Sequence, residues 1–426
     1  MMRQTAGTII ARVFITAMNL LVMMLAGHRL GASGLGDISL IVLGITLIMV
    51  MGNLVSGAAV VYLAPRVRIG MILLPSYLWS VITMGAAYAF LFFIPLVPAP
   101  YVVPVVLLAG IQCAYSAQLN ILLGHERIKA FNLISAVQAF ILIITFLILT
   151  GPVAVADRGG NIMAFVDASF TAFVATLFLS AMALFFKPRA AEARHEQVSV
   201  MRTMMRQGGM IQMANGLQLL TYRLGYWLIE HFRGTALLGV FAVGNQLAES
   251  AWLAPRSLGT VLYSRVSNTT DADRQRELTI LSFKVSVFFA MTVVTVLCLL
   301  PAVVISTLFG AEVVGLSPVL WILAPGIVAM AASQSFSHFF SGTARNVHNM
   351  AGSGIALMIT AIVGLLAIPA MGITGAALAA SLAYMANGTY QAVVFLRVTG
   401  AGVSALLPHA GDVHRLRNFW NDIMGR

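Results

Sequence analysis

From Ile69 to His125 the chain carries no Asp, Glu, Lys or Arg. The proline-rich "IPLVPAP" at Ile94–Pro100 breaks this run in two. Each part is longer than the roughly 18 apolar residues at which a bilayer-spanning helix is expected. Comparable uncharged runs follow at Ile38–Pro65, Val285–Ala311 and Val313–Ala344. Another, Asn346–Leu396, is long enough for two spans and is punctuated by "IPAMGITG" at Ile368–Gly375. A soluble fold has no use for so many continuous apolar segments. Only 9% of the residues are charged, against about 25% in soluble domains. The chain therefore reads as an all-α polytopic membrane protein.

Twelve spans are predicted, near residues 5–27, 38–63, 70–94, 101–124, 131–150, 160–186, 208–230, 235–263, 284–309, 316–341, 349–369 and 373–396. Their orientation follows from Lys and Arg. Twenty of these fall at the N-terminal end, in the even-numbered connections and in the segment from Arg397 onward, whereas the odd-numbered connections hold only Arg29, Arg158 and Arg233. By the positive-inside rule both termini are cytoplasmic. This distribution also accounts for the net charge of +11, which on a soluble chain would point to nucleic acid; no nucleic-acid partner is expected. The first apolar run contains Arg12 and lacks a small-residue cleavage site, so it reads as a span and not as a removed leader. Cys113 and Cys298 both lie within spans, which indicates neither a disulfide framework nor a metal cluster.

The two halves of the sequence echo each other. "GHRLGASGLGDISL" (Gly27–Leu40) aligns with "EHFRGTALLGVFAV" (Glu230–Val243), matching Gly31 with Gly234, Leu35 with Leu238 and Gly36 with Gly239. "LLGHERIKAFN" (Leu122–Asn132) aligns with "FSGTARNVHNM" (Phe340–Met350), matching Gly124 with Gly342 and Arg127 with Arg345. The expected organisation is a duplication: residues 1–195 as an N-terminal six-helix bundle, 196–397 as a C-terminal one, and 398–426 as a cytoplasmic tail. In the tail, Val413, Leu416, Phe419, Trp420 and Ile423 recur at the spacing of an interfacial amphipathic helix. Repeats of six spans share one orientation, so a substrate path is expected at their interface.

The stretches Arg29–Leu54, Gly124–Gln138 and Gly234–Ser267, with the number and order of spans, resemble the polysaccharide (O-antigen type) lipid-linked oligosaccharide flippases. These belong to the multidrug/oligosaccharidyl-lipid/polysaccharide exporter superfamily. The sequence departs from their usual pattern at Asp37, where an aromatic or other apolar residue is commoner. The resemblance implies two six-helix bundles around a central cationic cavity lined by spans one, two, seven and eight. It also implies a lipid-linked oligosaccharide as substrate, a bacterial inner-membrane location, contact with membrane lipids, and glycan polymerase or assembly proteins as partners.

No GK[ST], HExxH or GxSxG string is present, so neither ATP hydrolysis nor a familiar hydrolase is indicated, and no cofactor is expected. The short outer connections leave little room for the acceptor site of a glycan polymerase or ligase. What remains is the set of charges inside spans: Arg12, Asp167, Arg223, Glu249 and Arg256. A guanidinium keeps its proton and binds phosphate oxygens bidentately, while its burial at mid-membrane costs about 2.5–3.5 kcal/mol even on lenient scales. Arg223, Arg256 and Arg12 are therefore candidate pyrophosphate contacts at staggered depths. Asn53, in register with Arg256 across the duplication, is a neutral donor in the same layer. Tyr222 and Tyr226 are candidate sugar-stacking residues; with Trp227 they equally fit an outer aromatic belt. Glu249 reads as a coupling site or as the partner of an arginine. Asp167 is predicted at the depth of Arg223, about 10–12 Å from the outer helix ends, which permits a purely structural ion pair. Arg12 also has the option of snorkelling to the inner headgroups. A secondary multidrug or small-molecule exporter is the alternative reading.

Overall fold

A computed structural model describes residues 2–151, 162–185, 200–267, 269, 271–343, 345–407 and 409. The amphipathic segment 412–424 and the basic residues Lys187, Arg189 and Arg194 lie outside them. Among the described residues the regular structure is entirely helical. The helices are α1 (Met2–Ser56), α2 (Ala58–Leu63), α3 (Ile69–Phe93), α4 (Val102–Gly124), α5 (Ile128–Leu149), α6 (Met163–Phe185) and α7 (Val200–Arg233). They continue with α8 (Thr235–Glu249), α9 (Leu253–Ser267), α10 (Ala272–Cys298), α11 (Ala302–Phe309), α12 (Leu316–Gly342), α13 (Val347–Met371) and α14 (Ile373–Thr399).

Several helices depart from the twelve expected spans. α1 is two helices joined at Gly31, where φ is 70° and ψ is −171°. Its second part continues through α2 as the second span. The eighth span is broken: α8 ends at Glu249, a 3₁₀ turn occupies Ser250–Trp252, and α9 begins at Leu253. The ninth span begins twelve residues earlier than predicted, at Ala272 instead of 284, and is broken at Pro301 between α10 and α11. The hydrophilic first turns of α10 project beyond its apolar part, which is why hydropathy alone missed them. Asp271 caps this helix, accepting from the N–H groups of Asp273 and Arg274.

By length and composition, eight stretches among the described residues are apolar enough to cross a bilayer. α7 falls outside that set because polar and charged residues run along its whole length, from Arg202 and Arg206 through Gln212, Asn215 and Gln218 to Arg223 and Glu230. Leu78, Val81, Phe92 and Phe93 on α3, and Met358, Ile362 and Leu366 on α13, are exposed. In water such stripes would drive aggregation; in lipid they are the solvated surface.

The chain divides into two compact units, Arg3–Leu219 with Leu308–Val313, and Leu220–Thr307 with Val314–Arg426. In the first unit α4 is central, packing on α2, α3 and α6, while α5 packs on α6. Part of its polar interior is paired internally, as lipid burial favours. Gln118 donates to the Tyr77 hydroxyl at 2.6 Å and accepts from Ser180, and Gln138 donates to the Tyr115 hydroxyl at 2.9 Å. The turn at Gly31 is filled by the segment 308–313: Glu312 accepts from the Ala32 N–H at 2.7 Å.

In the second unit α12 packs on α8, α9, α10 and α14, and α13 packs on α14. The small residues Gly375, Ala376, Ala377, Ala379 and Ala380 are buried on α14 and allow this close approach. One end of the unit is closed by Leu262, Leu278, Phe336, Phe339, Phe340 and Phe395. The duplicated sequence has duplicated geometry. Gly234 precedes α8 with φ 84° and ψ 170°, close to Gly31. The chain leaves α4 and α12 by the same turn, Arg127 N–H donating to the Leu122 carbonyl at 2.9 Å and Arg345 N–H to Phe340 at 2.7 Å.

Candidate functional site

α7 carries Arg223 into the second unit, one helical turn before Tyr226. This spacing lets the guanidinium fold back along the helix. Arg223 Nη1 donates to the Tyr226 hydroxyl at 2.6 Å, and the guanidinium carbon lies 4.8 Å from the centre of that ring. Its acidic neighbour is Glu249, the last residue of α8, with Nη1 3.6 Å from Oε1. That separation is an ion pair without a hydrogen bond. Asn245, one turn before Glu249, donates to Oε1 at 2.6 Å and lies 3.3 Å from the Tyr226 oxygen, to which it also donates. The Arg223 and Glu249 side chains are only 21% and 12% exposed, so their mutual charge balance is what makes burial tolerable.

Beside this network stand three rings. Tyr222 is 5.5 Å from both Trp252 and Tyr384, and Trp252 is 5.7 Å from Tyr384. Trp252 is fully buried in the break between α8 and α9, its indole N–H donating to the Ile327 carbonyl at 3.0 Å. The Arg256 guanidinium lies 5.4 Å from the Trp252 ring centre, and the residue itself is exposed.

The expected site residues thus fall into two groups. Arg223, Tyr226 and Glu249 meet directly, while Tyr222 and Arg256 both lie against Trp252. In the first unit, Arg12 is exposed on α1, Asn53 accepts from the Ser116 hydroxyl at 3.3 Å, and Asp167 is half-buried on α6. No hydrogen bond or ion pair links these three to one another among the described residues. Two expectations are corrected. The acid at Arg223 is Glu249, not Asp167: equal depth says nothing about rotation around the helix axis. Tyr226 is also no belt residue; it is buried against Phe241 at 5.8 Å, whereas Trp227 stacks on His231. Asn245, Trp252 and Tyr384 were not anticipated. Asn245 had a local signal, its four-residue spacing from Glu249; Tyr384 comes from α14 and had none.

No protein-family model and no curated protein matches this sequence. Solved structures do. The chain superposes on an inward-facing multidrug resistance MATE family transporter of the MOP superfamily with a TM-score of 0.68, at 14% identity over 91% of this chain and 95% of that one. It superposes equally well on the lipid II flippase MurJ in an inward closed conformation, TM-score 0.68 and 14% identity over 94% and 90%. The MATE multidrug transporter DinF-BH gives 0.67 and 15% over 93% and 94%. The chain has the fold of these transporters. Identity this low carries the fold alone, and within it the Arg223 network is what this sequence contributes.

Proposed function

We propose that the chain is a flippase that moves a polyprenyl-pyrophosphate-linked oligosaccharide, an O-antigen, capsule or exopolysaccharide precursor, from the cytoplasmic to the outer leaflet of a bacterial inner membrane. The carrying observation is Arg223: a largely buried cation on α7 whose one hydrogen bond among the described residues goes to Tyr226. A guanidinium has five donors, and a pyrophosphate offers the oxygens to match them. A lipid II flippase among the structural neighbours supports the same reading.

On this reading Arg223 is the outer phosphate contact and Arg256 and Arg12 the inner ones, with Asn53 a neutral donor. Tyr222 and Tyr226 contribute to the seat for the head group. Glu249 and Asp167 are the acids available to couple transport to an ion gradient or membrane potential by alternating access. Residues 1–195 and 196–397 act as the two bundles, both termini are cytoplasmic, and the partners are membrane lipids and glycan polymerase or assembly proteins. A second reading, a multidrug or small-molecule exporter, draws on one specific observation: Glu249 stands beside the ring cluster of Tyr222, Trp252 and Tyr384, a combination that suits an organic cation.

The test is transfer of a labelled polyprenyl-pyrophosphate saccharide between leaflets of liposomes containing the purified protein. Wild type should transfer it, and Arg223→Ala should lower the rate at least about tenfold, the loss expected for one buried charge-assisted contact. Wild type that moves a cationic dye but no such lipid under any ion gradient would replace the flippase with the exporter.

A further inference from the structure

Glu249 is the acidic neighbour of Arg223, and the geometry of the pair is that of a loose partner. The 3.6 Å separation leaves the guanidinium ionically balanced but not hydrogen-bonded to the carboxylate. Glu249 has its own anchor in Asn245, at 2.6 Å. Arg223 gives its one hydrogen bond among the described residues to Tyr226.

Two further donors converge here. The Tyr226 oxygen accepts from both Arg223 and Asn245, which leaves its own O–H proton to give. The Tyr384 hydroxyl is buried, the residue being 1% exposed, and has no hydrogen-bond partner among the described residues. Its ring lies 5.5 Å from that of Tyr222, the residue preceding Arg223 on α7, which places the orphaned hydroxyl beside this network. A buried hydroxyl without a partner costs free energy that a ligand oxygen would recover.

We propose that Arg223, Tyr226 and Tyr384 form an anion seat for which Glu249 is the resident competitor: a phosphate group takes the place of the Glu249 carboxylate beside Arg223, accepting from the guanidinium and the two hydroxyls, while Asn245 retains the displaced carboxylate. This rests on the flippase reading for its ligand class. It adds a reason for the acid to be present. A lone guanidinium in a span would be costly to hold between cycles, and an arginine saturated by a bidentate carboxylate would not exchange. A loose pair avoids both. The same arrangement makes release possible, because the carboxylate competes for Arg223 whenever phosphate is bound.

The experiment is equilibrium binding of radiolabelled farnesyl pyrophosphate to the full chain in detergent, with inorganic pyrophosphate as competitor. Glu249→Gln, which keeps an oxygen for Asn245, should tighten binding about tenfold by removing a like charge from the seat. Tyr384→Phe should weaken it about three- to tenfold, the effect of one hydrogen bond. Arg223→Ala and the double variant Arg223→Ala/Glu249→Gln should both lose it. Arg223→Lys, charged but without the fork, checks that the loss is not a folding defect, and should retain weakened binding. Unchanged or weaker binding in Glu249→Gln, with wild-type binding intact, overturns the competitor role and leaves the flippase standing. If neither wild type nor Glu249→Gln binds the probe, while both elute as monodisperse protein and wild type transports a cationic dye, the flippase reading fails and the anion seat with it.

Discussion

Gly31 and Gly234 make the same turn, φ near 70–84° with ψ close to 180°, at equivalent points of the two halves, yet their surroundings have nothing in common. A Cβ placed on Gly31 would stand 2.5 Å from Glu312 Oε2, whereas one on Gly234 meets nothing within 4 Å. The contrast extends inward. Asn53 of the first unit rests on Ser116, both neutral, while the second unit holds Arg223 against Glu249 in its interior. The backbone turn is common to the two places, whereas the side chains around it differ, and the Arg223–Glu249 ion pair belongs to the second unit.

The largest effect expected from this asymmetry is at Glu249. Glu249→Ala strands the Arg223 guanidinium and should cost about 3–5 kcal/mol, read from unfolding in mixed micelles. A loss below about 1 kcal/mol would mean that Arg223 is solvated and not balanced by Glu249. Next comes Gly31→Ala. That backbone region is essentially restricted to glycine, at about 1–3 kcal/mol for other residues, and the collision with Glu312 adds to it. Gly234→Ala has only the backbone penalty to bear and should lie lower in the same range of about 1–3 kcal/mol. Equal losses at the two glycines would show that Glu312 moves aside freely. Glu312→Ala removes an acceptor from the Ala32 N–H at a partly exposed site and should cost about 1 kcal/mol. The smallest change is Asn53→Ala, below about 1 kcal/mol, because Ser116 keeps other options for its hydroxyl.

Much of the fold was legible because it depends on one-dimensional quantities. Uncharged runs have a length that a bilayer sets, Pro and Gly interrupt them, and arginines collect on one side. The breaks at Ser250–Trp252 and around Pro301 were harder. Pro301 stood in the sequence as a warning, but nothing in "AESAWLAP" forces a tight turn while both flanks remain helical. The polar start of α10 was hidden for a related reason: hydropathy marks where a helix enters lipid, and a helix can begin well before that.

The candidate site divides in the same way. Arg223, Glu249 and the two tyrosines were visible as polar or aromatic residues where apolar ones are the rule, since lipid makes each such exception costly. Their partnership was not. Asp167 stood at the depth of Arg223 and Glu249 was a possible partner for an arginine, and depth along the membrane normal is the single coordinate that helix rise supplies. Azimuth around each helix, and which helices are neighbours, come only from packing; they brought Glu249 from 26 positions away and Tyr384 from 161. By itself the sequence determined that this chain is a bundle of spanning helices with a few charges it could not bury without cause. Only the tertiary structure decided which charge met which, because side-chain encounters between helices far apart in the chain are fixed by the close packing of whole helix surfaces, and no local pattern encodes them.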